Sequence, residues 1–522
     1  MISVQDKEKC CGCGACSVAC PTKCIKMISD EEGFLYPKTD IERCINCNLC
    51  NKVCPIEAKK LEKRLEVEQP RAFGGWHKNE EIRKDSSSGG AFTLFAENIL
   101  KKGGIVFGCT LNENMQAVHI GVESLDELYK LRGSKYVQSN LNNTYQEIQK
   151  LVKDGRLVLF VGTPCEAAGL FSFMGSQSYD NLYIVDFICH GVPSPQIFKD
   201  YIEKEEKEEK SKLVSYRFRN KEYGWNQMGV QLGSGTLLKF ENGVIVHRYP
   251  AYRDTFMNGF GNDIYLRPSC YACMFKRIPK NYADFTIGDF WGVDKVEPEL
   301  SGNKGTSLLL INTKHGKNLW KEVNQNFYYK EVDFIKAIGR NRSLVKSADK
   351  NLRRTHFFND YFAKGYDFVE RKYMSAIVWA IHKIYRVGME ILKSCEQFVK
   401  FSAVGCSNVL INLGVYYLCV YVGIYYLVAY TAGFLVSVLN AFYWNNKFVF
   451  KNKKEKSIVK AFLKVLASYG FSFILSIILM SVMVEALGIS SMVAPILKMI
   501  ITIPINFLLN KVWAFKDKRT CK

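Results

Sequence analysis

The stretch Cys10–Pro21, CCGCGACSVACP, decides how this chain begins to fold. Cys10, Cys13, Cys16 and Cys20 stand at spacings of three, three and four, with a proline closing the run. Cys44–Pro55, CINCNLCNKVCP, repeats the pattern with Cys44, Cys47, Cys50 and Cys54. Thiolates are soft ligands that suit iron–sulfur clusters and zinc. In a C-x2-C-x2-C-x3-C-P run three cysteines wrap one cluster and the fourth reaches the neighbouring one. The small residues Gly12, Gly14 and Ala15 let the backbone fold tightly around it. A pair of zinc knuckles is the competing reading, but a knuckle usually offers two cysteines, not four and a proline. Cys11 and Cys24 fall outside the spacing and read as spectators.

The two runs resemble a bacterial-type two-cluster ferredoxin over roughly residues 1–62, within a first domain set at 1–66. By that resemblance Cys10, Cys13, Cys16 and Cys54 hold one 4Fe–4S cluster. Cys44, Cys47, Cys50 and Cys20 hold the other.

At 522 residues the chain is too long for one core, and about three units are expected. Ten of the 19 cysteines precede residue 55. The opening MISVQDKEK has no apolar run of the signal-peptide kind, and cysteines clustered in a large chain more often bind metal than form disulfides. A reducing, cytosolic setting is expected for this part. The net charge of +20 is uneven: residues 400–522 carry 14 Lys and Arg against three acids, or +11. That distribution points to a membrane-facing tail and away from nucleic acid.

Between residues 67 and 345 the texture is α/β. Gly155–Cys165 (GRLVLFVGTPC), Asn181–Ser194 (NLYIVDFICHGVPS) and Ala283–Gly292 (ADFTIGDFWG) each read as a buried strand running into a loop. Sites gather at such loops in open α/β sheets. SSSGGAFTLFAENILKKGG reads as a Ser/Gly loop feeding an amphipathic helix, a shape that can cradle phosphate. Taken alone, Ser86–Gly90 reads rather as a flexible linker into the next helix. Neither G-x-G-x-x-G nor a Walker A motif is present.

Ser88-Gly89-Gly90, LRGSKYVQS (Leu131–Ser139), GTPC, CHGVPS, RPSCYACMF (Arg267–Phe275) and TIGDFWG, in this order, resemble the beta subunit of coenzyme F-420-reducing hydrogenases and formate dehydrogenases. The resemblance implies a domain over 67–345 that binds FAD and an iron–sulfur cluster. It places Ser88, Gly89, Gly90, Ser134, Lys135, Gly162 and Thr163 near the flavin. Cys165, Cys189, Cys270 and Cys273 form a candidate ligand set for a third 4Fe–4S cluster, against the reading of Cys165 or Cys189 as inert buried thiols. His190 is a candidate proton donor or a structural histidine. Asp289 and Trp291 fit either the fold or a flavin neighbourhood, and Cys109 reads as core.

Residues 346–398 form a basic, helix-rich linker. Residues 401–446 contain no charged side chain, and 465–510 contain only Glu485 and Lys498. Each block suits two membrane helices of about 20 residues. Asn445-x-x-Phe448-x-Phe450 and Asn510-x-x-Trp513-x-Phe515 end the blocks, 65 residues apart, as an internal repeat would. The asparagines and aromatics of these endings can equally serve as interfacial anchors. Lysines crowd the segment between the blocks and the segment after the second, so both ends and the middle loop are expected in the cytoplasm. Lys498 is expected to face the bundle or a lipid phosphate, with Glu485 as its partner. Four spans with these endings, over 399–522, resemble the GtrA family. That resemblance implies contact with membrane lipid and polyprenyl-phosphate-linked sugars in surface-polysaccharide assembly.

The expected fold is α/β with a small α+β ferredoxin-like domain in front and four transmembrane helices behind. The expected function is a multi-pass membrane oxidoreductase. It takes electrons from a partner protein or reduced cofactor, through ferredoxin clusters and FAD, to an organic acceptor in polysaccharide synthesis. Translocation of the lipid-linked sugar with an accessory redox part is the alternative, as is a coenzyme F-420-reducing hydrogenase or formate dehydrogenase-type subunit. A quinone-feeding respiratory module is disfavoured, since residues 401–522 contain no histidine to bind haem.

Overall fold

The computed structural model describes residues 6–57, 70–225, 234–276, 282–375 and 400–445, with Ile2, Val4, Ile278, Lys280 and scattered positions from 464 to 510. The chain divides into two compact units, Met1–Ala380 and Ile381–Thr520.

The first unit opens with a hairpin of β1 (Ile25–Ser29) and β2 (Leu35–Thr39). A cysteine run flanks it on either side. Each run turns through two left-handed residues, Gly12 and Gly14 in the first (φ 74° and 73°), Asn46 and Asn48 in the second (φ 54° and 60°). Glycine and asparagine are the residues that adopt this conformation at least cost, so the repeat in spacing is also a repeat in backbone.

The body is a mixed eight-stranded sheet. Its strands are β3 (Arg71–His77), β4 (Ile105–Leu111), β5 (Ala117–Val122), β6 (Val158–Gly162), β7 (Leu182–Phe187), β11 (Phe285–Asp289), β12 (Ser307–Ile311) and β13 (Phe327–Val332). A separate antiparallel sheet holds β8 (Leu213–Asn220), β9 (Gly235–Phe240) and β10 (Ile245–Arg248). The large sheet runs β13-β3-β12-β11-β7-β6-β4-β5. Its four middle strands β4, β6, β7 and β11 are parallel, and the outer pairings are antiparallel. All three strands read from the sequence are therefore present as β6, β7 and β11, side by side. Their unbroken apolar runs suit strands covered on both faces. The helix Ala91–Lys101 covers one face, burying Leu94, Phe95, Ile99 and Leu100, with the Phe95 ring 4.2 Å from that of Phe285. The helix Pro164–Phe173 covers the other, together with Tyr145 and Ile148.

Parallel strands end together, so the loops after β6, β7 and β11 meet at one rim. The ferredoxin segment packs into this same unit. Ala15 is fully buried among Phe107, Tyr145 and Ala167. A β-carbon on Gly169 would lie 3.0 Å from Cys13 Sγ, so only glycine there lets the first cysteine run reach the helix.

In the second unit the helix Lys400–Tyr421 has 22 residues and a mean hydropathy of 1.6, long and apolar enough to cross a membrane. The left-handed Gly423 turns the chain into the helix Tyr426–Trp444. Asn440 Nδ2 donates to Asn408 Oδ1 at 2.7 Å and to Ser407 Oγ at 3.1 Å, tying the two helices as polar side chains do in lipid. Among the described residues this helix pair is what stands of the four expected spans, and one helix of it meets the length of a span. The middle lysines, Glu485 and Lys498 lie outside the described residues. Asn445 and Asn510 are both fully buried.

Candidate iron–sulfur and flavin sites

The cysteines fall into three groups. Cys10, Cys13, Cys16 and Cys54 line one hollow, together with Gly12 and Gly14. Cys54, from the second run, lines it beside three cysteines of the first. Cys20, Cys44 and Cys50 pack together with Cys24, while Cys47 is the exposed member of its run. Cys24 packs with this group, its Sγ buried 3.3 Å from that of Cys20.

The third group is Cys165, Cys189, Cys270 and Cys273, lining a cavity of about 230 Å³. Cys165 enters just after β6 and Cys189 just after β7. Cys270 and Cys273 come from the turn Pro268–Ala272 and its end. Among the described residues no three His, Cys, Asp or Glu side chains close on the point that a single metal ion would occupy. Thiolates on a cube hold one iron each and stand farther apart.

The chemistry of these groups fits iron–sulfur clusters. Burial, with Cys10 and Cys54 beside it, pushes the Cys16 thiol up to about 12. Burial pushes Cys270 up to about 12 as well, with Cys273 and Cys165 adding to the effect. Such buried sets ionise readily only when cations are placed among them. Arg267 makes the same point from the other side. It is fully buried, and no carboxylate among the described residues pairs with it. Its guanidinium donates to the Cys10 carbonyl (2.9 Å), the Leu35 carbonyl (3.0 Å) and Gln138 Oε1 (2.9 Å), and Nη2 lies 3.7 Å from Cys10 Sγ. A β-carbon on Gly12 would lie 2.8 Å from its Nη1. An unpaired buried cation against a cysteine cage suits an anionic occupant.

A further cavity of about 210 Å³ opens at the carboxyl ends of β6, β7 and β11. Ser88, Gly90, Ser134, Lys135 and Thr163 line it, with Ser87, Cys189, His190 and Asp289. Gly89 and Gly162 are held behind that wall. The Gly89 amide donates to Ser307 Oγ at 2.9 Å, and a β-carbon on Gly162 would lie 2.9 Å from Glu166 Oε2. Thr163 also caps the helix Pro164–Phe173, in a capping box with Glu166.

The Ser86–Gly90 loop is fixed. Ser87 Oγ accepts from the Ser134 amide (2.7 Å) and hydroxyl (2.9 Å), and Lys221 Nζ donates to the Ser88 carbonyl at 2.6 Å. Gly90 is the N-cap of the helix Ala91–Lys101 and supplies no side-chain cap, and Ala91 and Phe92 of its first turn line the cavity. Burial lowers Lys135 to about 8, with its amine on the carbonyls of Lys130 and Arg132.

His190 borders both cavities. Its Nε2 is 2.5 Å from Asp263 Oδ1, and its Nδ1 3.5 Å from Ser343 Oγ. Asp289 pairs with Arg219 at 3.0 Å on the cavity wall, whereas Trp291 packs on Trp225. Cys109 is half-buried on this wall, packed against the core that holds Tyr216 and Phe260. Sequence reading missed Arg267, Ser87 and Asp263. Arg267 did stand three residues before Cys270, where a buried charge beside a cysteine motif was a signal.

Comparison with known proteins follows the same order. The 4Fe-4S dicluster domain matches residues 9–58. The N-terminal and C-terminal domains of the coenzyme F-420 hydrogenase/dehydrogenase beta subunit match 72–145 and 155–336. The GtrA/DPMS transmembrane domain matches 400–515. The architecture read from the sequence is thus the one the family models give, and it supports a redox subunit with a GtrA-like membrane domain.

The cell wall teichoic acid glycosylation protein GtcA of Listeria monocytogenes is 28% identical over 153 residues, 28% of this chain and 97% of that protein. A dolichol-phosphate mannosyltransferase of Pyrococcus furiosus is 29% identical over 140 residues, 26% of this chain; the chain spans only 38% of that relative. A chain of the F-420-reducing NiFe hydrogenase complex of Methanosarcina barkeri aligns over 58% of this chain and 91% of its own length, at 16% identity and a TM-score of 0.34.

Proposed function

We propose that this chain is a membrane-attached iron–sulfur flavoprotein oxidoreductase. It holds two ferredoxin-type 4Fe–4S clusters, a third cluster and FAD, and acts on an organic acceptor in surface-polysaccharide assembly. One observation carries the reading: three hollows share walls in a row. Cys11 lies on both the first hollow and the third cysteine group, and Cys189 and His190 on both that group and the Ser/Gly cavity.

When bound, the clusters and flavin would supply one-electron carriage and hydride chemistry. The chain's own residues bind, orient and handle protons. The amides at Ala91 and Phe92, with Lys135 and Ser134, would hold the diphosphate of FAD. Asp263 orients His190, which can pass a proton to an acceptor at the rim. Resemblance of the tail to proteins named for teichoic acid glycosylation and dolichol-phosphate mannosyl transfer supports a polyprenyl-phosphate sugar as the lipid partner. The lysine-rich segments support multi-pass insertion with the redox part in the cytoplasm.

Full-length protein purified anaerobically in detergent is expected to carry about twelve irons, four per cluster, and bound FAD. Zinc in place of iron, or no flavin in the denatured supernatant, would refute the redox half. A deletion strain is expected to show an altered pool of lipid-linked sugars by mass spectrometry. An unchanged pool sinks the polysaccharide half alone.

Lys135 gives the flavin site a pH signature. An anion beside it favours the charged amine, so the bound pKa lies above the free value of about 8. Affinity for FAD is therefore full below about 8 and falls by up to about tenfold per pH unit above it, until the bound pKa is passed. Titration of Lys135→Met should give weaker binding with that slope removed. An unchanged slope would assign it to another group.

A further inference from the structure

We propose that the groove between the edges of β5 and β8 takes a sugar phosphate, with the Arg132 guanidinium as the fork that holds the phosphate. This rests on the reading of the neighbouring Ser/Gly cavity as the flavin site, and names the class of its acceptor.

The groove measures about 1040 Å³, against about 210 Å³ for that cavity, and the two share Arg132, Gly133, Ser134 and Lys135 as a common wall. Clefts for small organic ligands run from about 300 to 1,000 Å³. β5 and β8 are each the last strand of a sheet, so the groove runs between two sheet edges. Its charge is lopsided: six Lys and Arg line it against three acids, Asp85, Glu113 and Glu241. Carboxylates answer three of the six, Lys130 through Glu127 at 2.7 Å, Arg217 through Asp85 at 3.3 Å and Arg219 through Asp289 at 3.0 Å. Lys135 is taken by the flavin site. Among the described residues no carboxylate pairs with Arg132 or Lys212.

Arg132 is built to receive an oxyanion. Its Nε donates to Thr93 Oγ1 at 3.3 Å, and Thr93 is fully buried in the helix Ala91–Lys101, so one nitrogen is anchored. Its two Nη groups meet no acceptor among the described residues and are not sealed from solvent. Such a fork pairs with phosphate through two parallel hydrogen bonds, which a lysine cannot do. Tyr129, three residues earlier and 66% exposed, offers a ring face to the apolar side of a sugar. Glu113 and Asn114, exposed on the turn after β4, supply acceptors and donors for hydroxyls. The three acids would repel a bare polyanion. The lining suits an occupant with one anionic end and a neutral, hydroxylated remainder. A sugar on a phosphate has that form, whether the phosphate belongs to a soluble nucleotide or to a lipid carrier.

The test uses full-length, FAD-loaded protein in detergent, titrated with uridine diphosphate glucose and, separately, with glucose on a short polyprenyl phosphate. Calorimetry reads binding, and the flavin spectrum reads whether the probe sits beside the flavin. At least one probe should bind and shift that spectrum, and the one that does names the source of the phosphate. Arg132→Gln should weaken binding by at least about tenfold with FAD content unchanged. Arg132→Lys, which keeps the charge but not the fork, should restore little of the loss. Lys212→Gln, at an exposed position, should weaken binding only a few fold. Failure of both probes to bind FAD-loaded protein overturns the groove and leaves the flavin reading standing. Loss of FAD from Arg132→Gln also overturns it, by giving the fork to the flavin. Wild-type protein that lacks FAD yet binds a probe, with the same loss in Arg132→Gln, fells the flavin reading and keeps the sugar-phosphate groove.

Discussion

Cys270→Ser removes about four of about twelve irons from anaerobically prepared protein and leaves the two ferredoxin-type signals in place. The expectation follows from how the third group is assembled. Cys165, Cys189 and the Cys270–Cys273 pair reach one cavity from three separate parts of the chain, each fixed by different packing. Cys165 sits in the first turn of a helix locked by a Thr163–Glu166 capping box. Cys189 follows β7, where the Ile188 amide donates to the Ile287 carbonyl at 2.8 Å. Cys270 stands behind Arg267, and its Sγ accepts from the Val192 amide at 3.4 Å. Each member of the set is thus held in place by its own packing. Serine keeps the volume but is a poor soft ligand. Cys109→Ser, on the wall of the neighbouring cavity, should keep all its iron. Iron and labile sulfide analysis, with EPR of the dithionite-reduced sample, reads both outcomes. Full iron content in Cys270→Ser would dismiss the third cluster as a chance meeting of buried thiols.

Much of this arrangement was legible because it is local. The repeated cysteine spacing at Cys10–Cys20 and Cys44–Cys54 returns as the same pair of left-handed turns, and the runs after Gly155, Asn181 and Ala283 became three adjacent parallel strands. The turn at Gly423 likewise separates two helices within the uncharged block 401–446. What stayed hidden depends on pairings across long stretches of chain. The antiparallel flank formed by β12, β3 and β13 joins Arg71–His77 to strands more than two hundred residues away, and no periodicity announces such a partner. Arg267 meets Cys10 across 257 positions. Gly89 shows the opposite failure. It reads as a phosphate-loop glycine, but its amide is spent on Ser307. Cys11 and Cys24 broke the spacing and read as spectators, and nothing in the spacing shows that Cys24 packs against Cys20.

Arg267→Met should lower the potential of the first ferredoxin-type cluster by more than tenfold in the one-electron equilibrium, beyond about 59 mV. In the cluster-loaded protein it should also cost about 3–5 kcal/mol of stability, the typical effect of stripping one partner from a buried charge pair. Both effects share a cause. The guanidinium is fully buried, lies 4.1 Å from the Tyr36 ring centroid, and faces Cys10 with no carboxylate among the described residues to balance it. A reduced cluster carries more negative charge than an oxidised one, so a buried cation nearby favours reduction. Methionine keeps most of the stem's volume, so lost packing is small beside the lost charge and the stranded acceptors of Cys10, Leu35 and Gln138. In metal-free protein the balance changes. The same arginine is then a buried cation with neutral thiols around it, and replacing it relieves a desolvation cost. The stability loss should therefore shrink sharply once the iron is removed, which a purely structural arginine would not produce. Arg267→Lys keeps the charge but not the fork that spans three acceptors, and should rescue the potential better than the stability. Denaturant unfolding of loaded and metal-free samples, beside the redox titration, separates the two. An equal loss of stability in both samples with an unmoved potential would reduce Arg267 to a packing residue.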